Sequence, residues 1–462
     1  MSFPIRVLFA VAPLALAAGV AVAQPIRATP PDPVLDRLVA EALAATPEIV
    51  SARANVEAAR RRITPAATLP DPSIGTTYQN DGNGLSLGER EGSFLGFMAS
   101  QPLPWPGKLS LAGKAAESEA RELEAGLIGR SQLTIEARVR NAWYDLALAR
   151  AIDRIIVDRR QAATQIEAAV RERYAAGLAV QQDVLRAQVE LARIEELEAG
   201  QAAIITARTA ELNRLLGRPQ DAELESAAGL PGSDAVPATG ELIAAAAARS
   251  PELAAVRQGI ETGNLRVDLA RKDFLPDFVV SGGPMLRPGF EMGPMWQVGV
   301  GVSVPLWVDR RQRNQLAEAR ARVEASTADA EAVARELELR TRERLAQLAA
   351  ALRVATLYRD QILPLDELSL ESALTSYQSG SVPFITVLDA LNAVYNDRTL
   401  YAGRLAEAAK WRVAIDEASL QTTAMAGPAM AGGSGSPVGG MAAGATTSAP
   451  SSGSDAPMSS MR

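Results

Sequence analysis

The tetrapeptide Tyr174-Ala-Ala-Gly177, with the run Leu178 to Leu191 behind it, occurs a second time as Tyr377-Gln-Ser-Gly380 followed by Ser381 to Val394. Tyr174 answers Tyr377, Gly177 answers Gly380 and Leu185 answers Leu388, all at one offset of about 203 residues. A glycine between two helical runs takes positive φ and lets a helix reverse, so each copy reads as the tip of a helical hairpin. A single copy would be an ordinary helix–helix turn. Two copies at a fixed offset mark a duplicated chain, and the remaining segments are read in two halves.

Hydrophobic residues make up 47% of the 462 residues but aromatic ones only 4%, a balance that suits long packed helices. The formal charge of -7 argues against a nucleic-acid partner. Cysteine and histidine are both absent, which removes disulfides, thiol nucleophiles, Ser-His-Asp triads and His- or Cys-ligated metal sites. The Glu and Asp residues fall at helical spacing on solvated faces. No catalytic residue, no cofactor and no enzymatic activity is expected.

Residues 1–23 read as a secretory signal: Arg6 supplies the positive start, Val7 to Val22 the apolar run, and Ala21-Val22-Ala23 the cleavage site. No Cys follows the run, so no acyl anchor is expected on the mature N-terminus, and no other stretch is long and apolar enough for a transmembrane helix. A Pro-rich leader covers 24–33. At the other end, 424–462 is rich in Gly, Ser, Ala and Pro and is expected to be disordered. That tail carries Met425, Met430, Met441, Met458 and Met461. Thioethers are soft ligands for Cu(I), so Met425, Met430 and Met441 are the metal candidates. Spaced methionine also arises from composition alone, and no metal site is assigned.

The first repeat spans 34–219 and the second 239–423, with a linker at 220–238. Thr46-Pro47-Glu48 reads as a helix N-cap with Pro at the first helical position, and Ser250-Pro251-Glu252 repeats it. Leu69-Pro-Asp-Pro72 then breaks the helix, answered by Leu275-Pro-Asp-Phe278. Two short strands follow in each half, about 73–80 and 93–101, then 278–284 and 295–304. The clearest alternates Trp296, Val298, Val300, Val302 and Val304 with Gln297, Gly299, Gly301 and Ser303, which suits lipid on one side and water on the other. Each strand pair ends in a Pro-Trp cluster. Trp105, Trp296 and Trp307 fall where a membrane interface favours amphipathic rings, and Trp105 and Trp307 equally suit a strand–helix corner.

No proline interrupts the chain between Pro106 and Pro219, so Lys108 to the first tip reads as one helix of roughly 65 residues, about 100 Å. A return helix reaches about Leu216. The counterpart starts near Asp309, kinks at Pro364 and turns at Gly380, and the last helix ends near Thr423. Apolar residues recur at three and four along these runs, as in a coiled coil.

Four strands cannot close a sheet, and a lipid-exposed sheet must close. Small barrels need about eight strands or more, so identical copies share one barrel, with two copies giving eight strands and three giving twelve. The helices run on for far more than a membrane thickness, as a barrel continuing into a helical tube would.

At this point residues 34–423 resemble the TolC family of outer-membrane efflux ducts. The carrying features are the duplicated helix–strand–strand–helix plan, Leu69-Pro-Asp-Pro72, Gln101-Pro-Leu-Pro-Trp-Pro-Gly-Lys108 and the two Tyr-x-x-Gly tips. The Pro-Trp-Pro-Gly-Lys stretch is similar to the heavy-metal, CzcC- and CusC-like, branch. The resemblance implies a mainly α fold with a small membrane β part. Four strands per chain would enter a trimeric 12-strand β-barrel, continued by a long periplasmic α-helical barrel of two duplicated hairpins. It also implies a periplasmic adaptor, an inner-membrane pump of the RND type, an outer-membrane location and metal cations or small toxic compounds as cargo. A duct for type I protein secretion has the same fold, and a secreted coiled-coil scaffold without a pore is the reading from another class.

The same resemblance assigns the site residues. Asp389 matches a carboxylate that the family rings around the periplasmic constriction, while Thr386 stands where a companion acid is expected. Asp183 matches an acid that latches neighbouring helices, and Tyr377 its tyrosine partner. Val382 stands where an arginine is expected, so the charged latch should be weaker than in well-known members. Arg173, Tyr174, Gly177, Leu178, Gly380, Ser381 and Val382 form the tips that would dock the adaptor.

Overall fold

The computed structural model describes residues 27–29, 32–81, 83–84, 92–224, 229–232, 238–287 and 295–420. The signal segment with Ala23, much of both strand–strand loops, and the tail with Met425, Met430 and Met441 lie outside the described residues.

Helices α1 (Pro33–Ala45), α2 (Pro47–Arg61) and α3 (Ile63–Ala67) lead into strands β1 (Ser73–Gln79) and β2 (Phe94–Leu103). Asp32 caps α1, its Oδ1 accepting from the amides of Val34 and Leu35 at 3.0 and 3.3 Å. Helix α4 (Lys108–Leu123) continues through a π-helical turn at Glu124–Ile128 into α5 (Gly129–Ala175), and α6 (Gln181–Leu216) returns. The second half repeats the plan: α7 (Thr239–Arg249), α8 (Pro251–Lys272), β3 (Asp277–Leu286), β4 (Met295–Ser303), α9 (Gln312–Leu357), α10 (Leu363–Gln378) and α11 (Phe384–Glu417).

Three details differ from the sequence reading. Ser250 does cap α8, accepting from the Leu253 amide at 3.4 Å, but the Thr46 hydroxyl donates back to the Ala42 carbonyl and leaves α2 without a side-chain cap. The last helix ends at Glu417, not near Thr423, because Ala418 adopts a left-handed φ of 47° that no α-helix accommodates. Where the sequence places a kink at Pro364, the helix passes through a second π-helical turn, Tyr358–Ile362, just before the proline. The proline has no N–H to donate and its ring crowds the carbonyl four residues back, and the wider turn absorbs both.

The strands form one antiparallel sheet in the order β1-β2-β3-β4. Its register brings Ile74, Thr76 and Tyr78 opposite Ala99, Phe97 and Leu95. It also sets Phe278, Val280, Gly282 and Pro284 opposite Val302, Val300, Val298 and Trp296. Directly opposed residues share a face, so Ile74, Phe97, Phe278, Val280, Trp296, Val298, Val300 and Val302 gather on one side, with Val279, Met285 and Met295 on the other. Ser73, Gly75, Ser281, Gly299, Gly301 and Ser303 share that second side. Trp296 and Val300 on the apolar face are 76% and 70% exposed, so none of the described residues covers it there. Strands β1 and β4 pair on one side only.

The helices bury three apolar clusters. Leu35, Leu38, Trp143, Leu146, Leu212 and Val413 pack α1 against α5, α6 and α11, and Leu242, Leu348 and Ile415 do the same for α7, α9 and α11. The third, with Ile156, Ile166, Val170, Ile194, Phe384, Val387 and Leu391, joins the two hairpins along their distal halves. Each large side chain so buried contributes about 1.5–3 kcal/mol. Among the described residues no helix is long and apolar enough to cross a membrane.

Candidate functional site

Both hairpins end in the same turn. The Gly177 amide donates to the Tyr174 carbonyl at 2.9 Å and the Leu178 amide to the Arg173 carbonyl at 2.8 Å. At the second tip Gly380 donates to Tyr377 at 3.0 Å and Ser381 to Ser376 at 2.8 Å. This double bond pattern closes a helix C-terminus on a residue in the left-handed region, and Gly177 and Gly380 supply it with φ of 72° and 77°. A Cβ at either position would meet nothing within 4 Å.

The structure brings Asp183 and Tyr377 together: the phenol donates to Asp183 Oδ2 at 3.3 Å. Tyr377 is buried and packs against Phe384, ring centroids 5.3 Å apart. Burial first, then the neighbouring Asp183 carboxylate, pushes the phenol above its ordinary range and keeps it a donor.

Sequence reasoning missed the cation of this cluster. Arg173, assigned to the docking surface, turns its guanidinium towards the second hairpin. Nη1 donates to the Gln378 carbonyl at 2.6 Å, Nη2 to the Leu178 carbonyl at 3.3 Å, and the group lies 5.1 Å from the centre of the Tyr377 ring. The arginine missing at Val382 thus has a substitute from the first hairpin. Its only sequence signal is its place just before the first Tyr-x-x-Gly.

Asp389 and Thr386 lie one turn apart on the exposed side of α11, while Val387 and Leu388 between them are buried. Asp389 carries no hydrogen bond or ion pair among the described residues. Tyr174 and Leu178 are 46% and 66% exposed, and Ser381 is exposed with Val382 half-buried. Arg173, Asp183 and Tyr377 form one contact group; Asp389 and Thr386 stand outside it.

A second cluster joins the repeats where strands meet helices. Asp277, which opens β3, accepts the Trp105 amide at 2.7 Å and the Lys108 ammonium at 2.9 and 3.0 Å through its two carboxylate oxygens. The Trp105 ring stacks on Phe278 with centroids 5.7 Å apart. Trp105 is therefore a strand–helix corner residue, whereas Trp296 and Trp307 are bare at 76% and 71%. Among the described residues no group of three or more His, Cys, Asp or Glu is placed to hold a metal ion.

A family model described as outer membrane efflux protein matches residues 38–218 and 242–419. The chain is 27% identical over 323 residues to the cobalt-zinc-cadmium resistance protein CzcC of Cupriavidus metallidurans, covering 68% of this chain and 74% of that one. The fold is similar to the outer membrane protein VceC of Vibrio cholerae, with TM-score 0.67, 22% identity and coverage of 83% and 95% of the two chains. It is also similar to the open state of the MtrE outer membrane channel of Neisseria gonorrhoeae, with TM-score 0.66, 18% identity and coverage of 84% and 88%.

Proposed function

The chain belongs to the outer membrane efflux protein family, and on that premise we propose that it is the exit duct of a tripartite efflux pump. It passively conducts cargo from an inner-membrane pump of the RND type and a periplasmic adaptor to the exterior. The observation that carries the reading is the sheet: one face gathers Ile74, Phe97, Val280, Val300 and Trp296, the other mixes small and polar residues with Met98, Val279, Met285 and Met295, and β1 and β4 each pair on one side only among the described residues. Open edges are not tolerated in hydrocarbon, so neighbouring copies must close the sheet, and three copies give a 12-strand barrel. The two repeats, near 34–219 and 239–423, then alternate around one axis and continue as a helical tube in the periplasm after signal cleavage near Ala23. The tips dock the adaptor, and Asp389 from each copy rings the constriction, where like charges attract cations. The relative named for cobalt, zinc and cadmium resistance supports metal cations as cargo, with small toxic compounds the other class.

Mass in detergent and planar-bilayer conductance of the membrane-extracted protein test the duct. Discrete cation-selective channels from a trimer carry it; a species without conductance overturns it. Cargo is tested in cells that lack their own duct but hold the adaptor and pump. Restored growth on cobalt, zinc or cadmium salts assigns metals, restored growth on organic toxicants assigns small compounds, and restored release of a large polypeptide instead assigns type I secretion.

A further inference from the structure

The junction between the two repeats within one chain is a template for the junction between copies. Asp277 of the second repeat holds Lys108 and the Trp105 amide of the first, and Lys108 also reaches the Leu275 carbonyl at 3.4 Å and Asp273 at 3.5 Å. The Lys108 side chain is only 11% exposed there. The duplication supplies every part a second time. Asp71 lies two residues before β1, in the sequence place of Asp277 at the start of β3, and Arg310 stands three residues after Trp307 as Lys108 stands three after Trp105. The turn itself is repeated, with Lys108 N donating to the Trp105 carbonyl at 3.0 Å and Arg310 N to the Trp307 carbonyl at 3.1 Å. The second set is bare. Leu306 and Trp307 are 79% and 71% exposed, Asp71 and Arg310 are exposed, and neither side chain has a hydrogen bond or ion pair among the described residues.

Resting on the trimeric reading above, we propose that Arg310 of one copy pairs with Asp71 of the next, with Trp307 packed on Pro72 in place of Phe278. Within the chain, Leu103 lies opposite Phe278 and Gln101 opposite Val280. Carried to the β4 and β1 edges with Pro305 in the place of Pro104, this pairing sets Val302 opposite Ile74, Val300 opposite Thr76 and Ser303 opposite Ser73 of the neighbour. That register continues the apolar face across the junction without a break, which a shift by one residue would not. Pro104 and Trp105 are adjacent, whereas Leu306 separates Pro305 from Trp307 in the second repeat. The longer arginine spans the added distance. Ala67 stands where the first junction has Asp273, so the guanidinium meets a single carboxylate.

The chain has no cysteine, so introduced pairs report cleanly. Ser303→Cys with Ser73→Cys should give covalent trimers on oxidation, while Ser303→Cys with Ile74→Cys, on opposite faces, should not. Asp71→Ala and Arg310→Ala should each shorten the lifetime of the detergent trimer about tenfold, as for loss of a charge-assisted hydrogen bond. The exchange Asp71→Arg with Arg310→Asp should restore it. Trimers that lack the cross-link, or ignore both alanine variants, overturn the clamp and leave the duct reading intact. A protein that is monomeric in detergent removes both.

Discussion

The guanidinium of Arg173 donates to the main-chain carbonyl of Gln378 at 2.6 Å, so the last cation of α5 holds the end of α10. A main-chain acceptor cannot be lost by substitution, so the contact depends on the arginine alone.

Arg173→Met keeps most of the side-chain volume and removes the donors and the charge over Tyr377. A charge-assisted hydrogen bond and an exposed cation–π contact together are worth about 2 kcal/mol, so the population of loosened tips should rise at least about tenfold. Open probability in bilayers reads this directly. Unchanged gating would reduce Arg173 to a surface residue.

The contact of Tyr377 with Asp183 is longer, 3.3 Å, and shares the same cluster. Tyr377→Phe should shift gating less than Arg173→Met. The double variant should shift it by less than the sum, because the Arg173 guanidinium and the phenol both engage the same ring. A double-mutant cycle that adds without coupling would show that the two contacts hold different elements.

Most of the fold could be read from the chain, because duplication shows each signal twice: Thr46-Pro and Ser250-Pro, Asp71 and Asp277, Gly177 and Gly380. The weak strand near 278–284 is signalled by the Leu275-Pro break before it, as the strand near 73–80 is by Leu69-Pro. The cluster at the tips was only half legible. Tyr377 and Asp183 followed from a resemblance, but Arg173 acts through main-chain carbonyls, which leave no mark in a sequence. Its counterpart in the second repeat is Ser376, so the cationic contact is made once per chain and breaks the internal symmetry. Helix ends escaped for a related reason. The left-handed Ala418 is imposed by packing, since alanine itself has no preference for that region.

Gly177→Val and Gly380→Val place a β-branched residue at positive φ, which costs about 1–2 kcal/mol of backbone strain. No steric term adds to it, because the space beside both glycines is open. The sheet lies at the other end of the long helices from the strain, so trimers should still reach the outer membrane while export fails for want of adaptor docking. Cross-linking to the adaptor alongside an efflux assay checks both halves. Normal export in both variants would remove the docking role of the tips.

Asp389 is exposed and has no counter-charge among the described residues. If each copy points one carboxylate at a shared axis, Asp389→Ala removes three like charges from the narrowest part of the duct. Single-channel current should rise, cation selectivity should fall and block by multivalent cations should weaken, most clearly at low salt where screening is least. Thr386→Ala is the control and should leave selectivity alone. Equal currents from Asp389→Ala and the parent would place the constriction elsewhere.

Asp366 on α10 faces Asp397 on α11, beside the ion pair of Glu367 with Arg398 at 2.7 Å. Desolvation first, then the Asp397 carboxylate, raises the Asp366 carboxyl above its ordinary range. An acid raised in the folded state costs nothing while it is protonated. The penalty grows as pH passes the ordinary carboxylate value near 4 and is complete above the raised one. Asp397→Asn removes the neighbouring charge and leaves an amide that can donate to Asp366. The variant should therefore unfold at a higher temperature than the parent at pH 7.5, and the difference should be smaller at pH 4, at the foot of the carboxylate range. A difference that persists unchanged at pH 4 would trace the gain to the new amide hydrogen bond rather than to relief of charge. A destabilised variant at pH 7.5 would mean that the hairpin depends on Asp397 in its charged form.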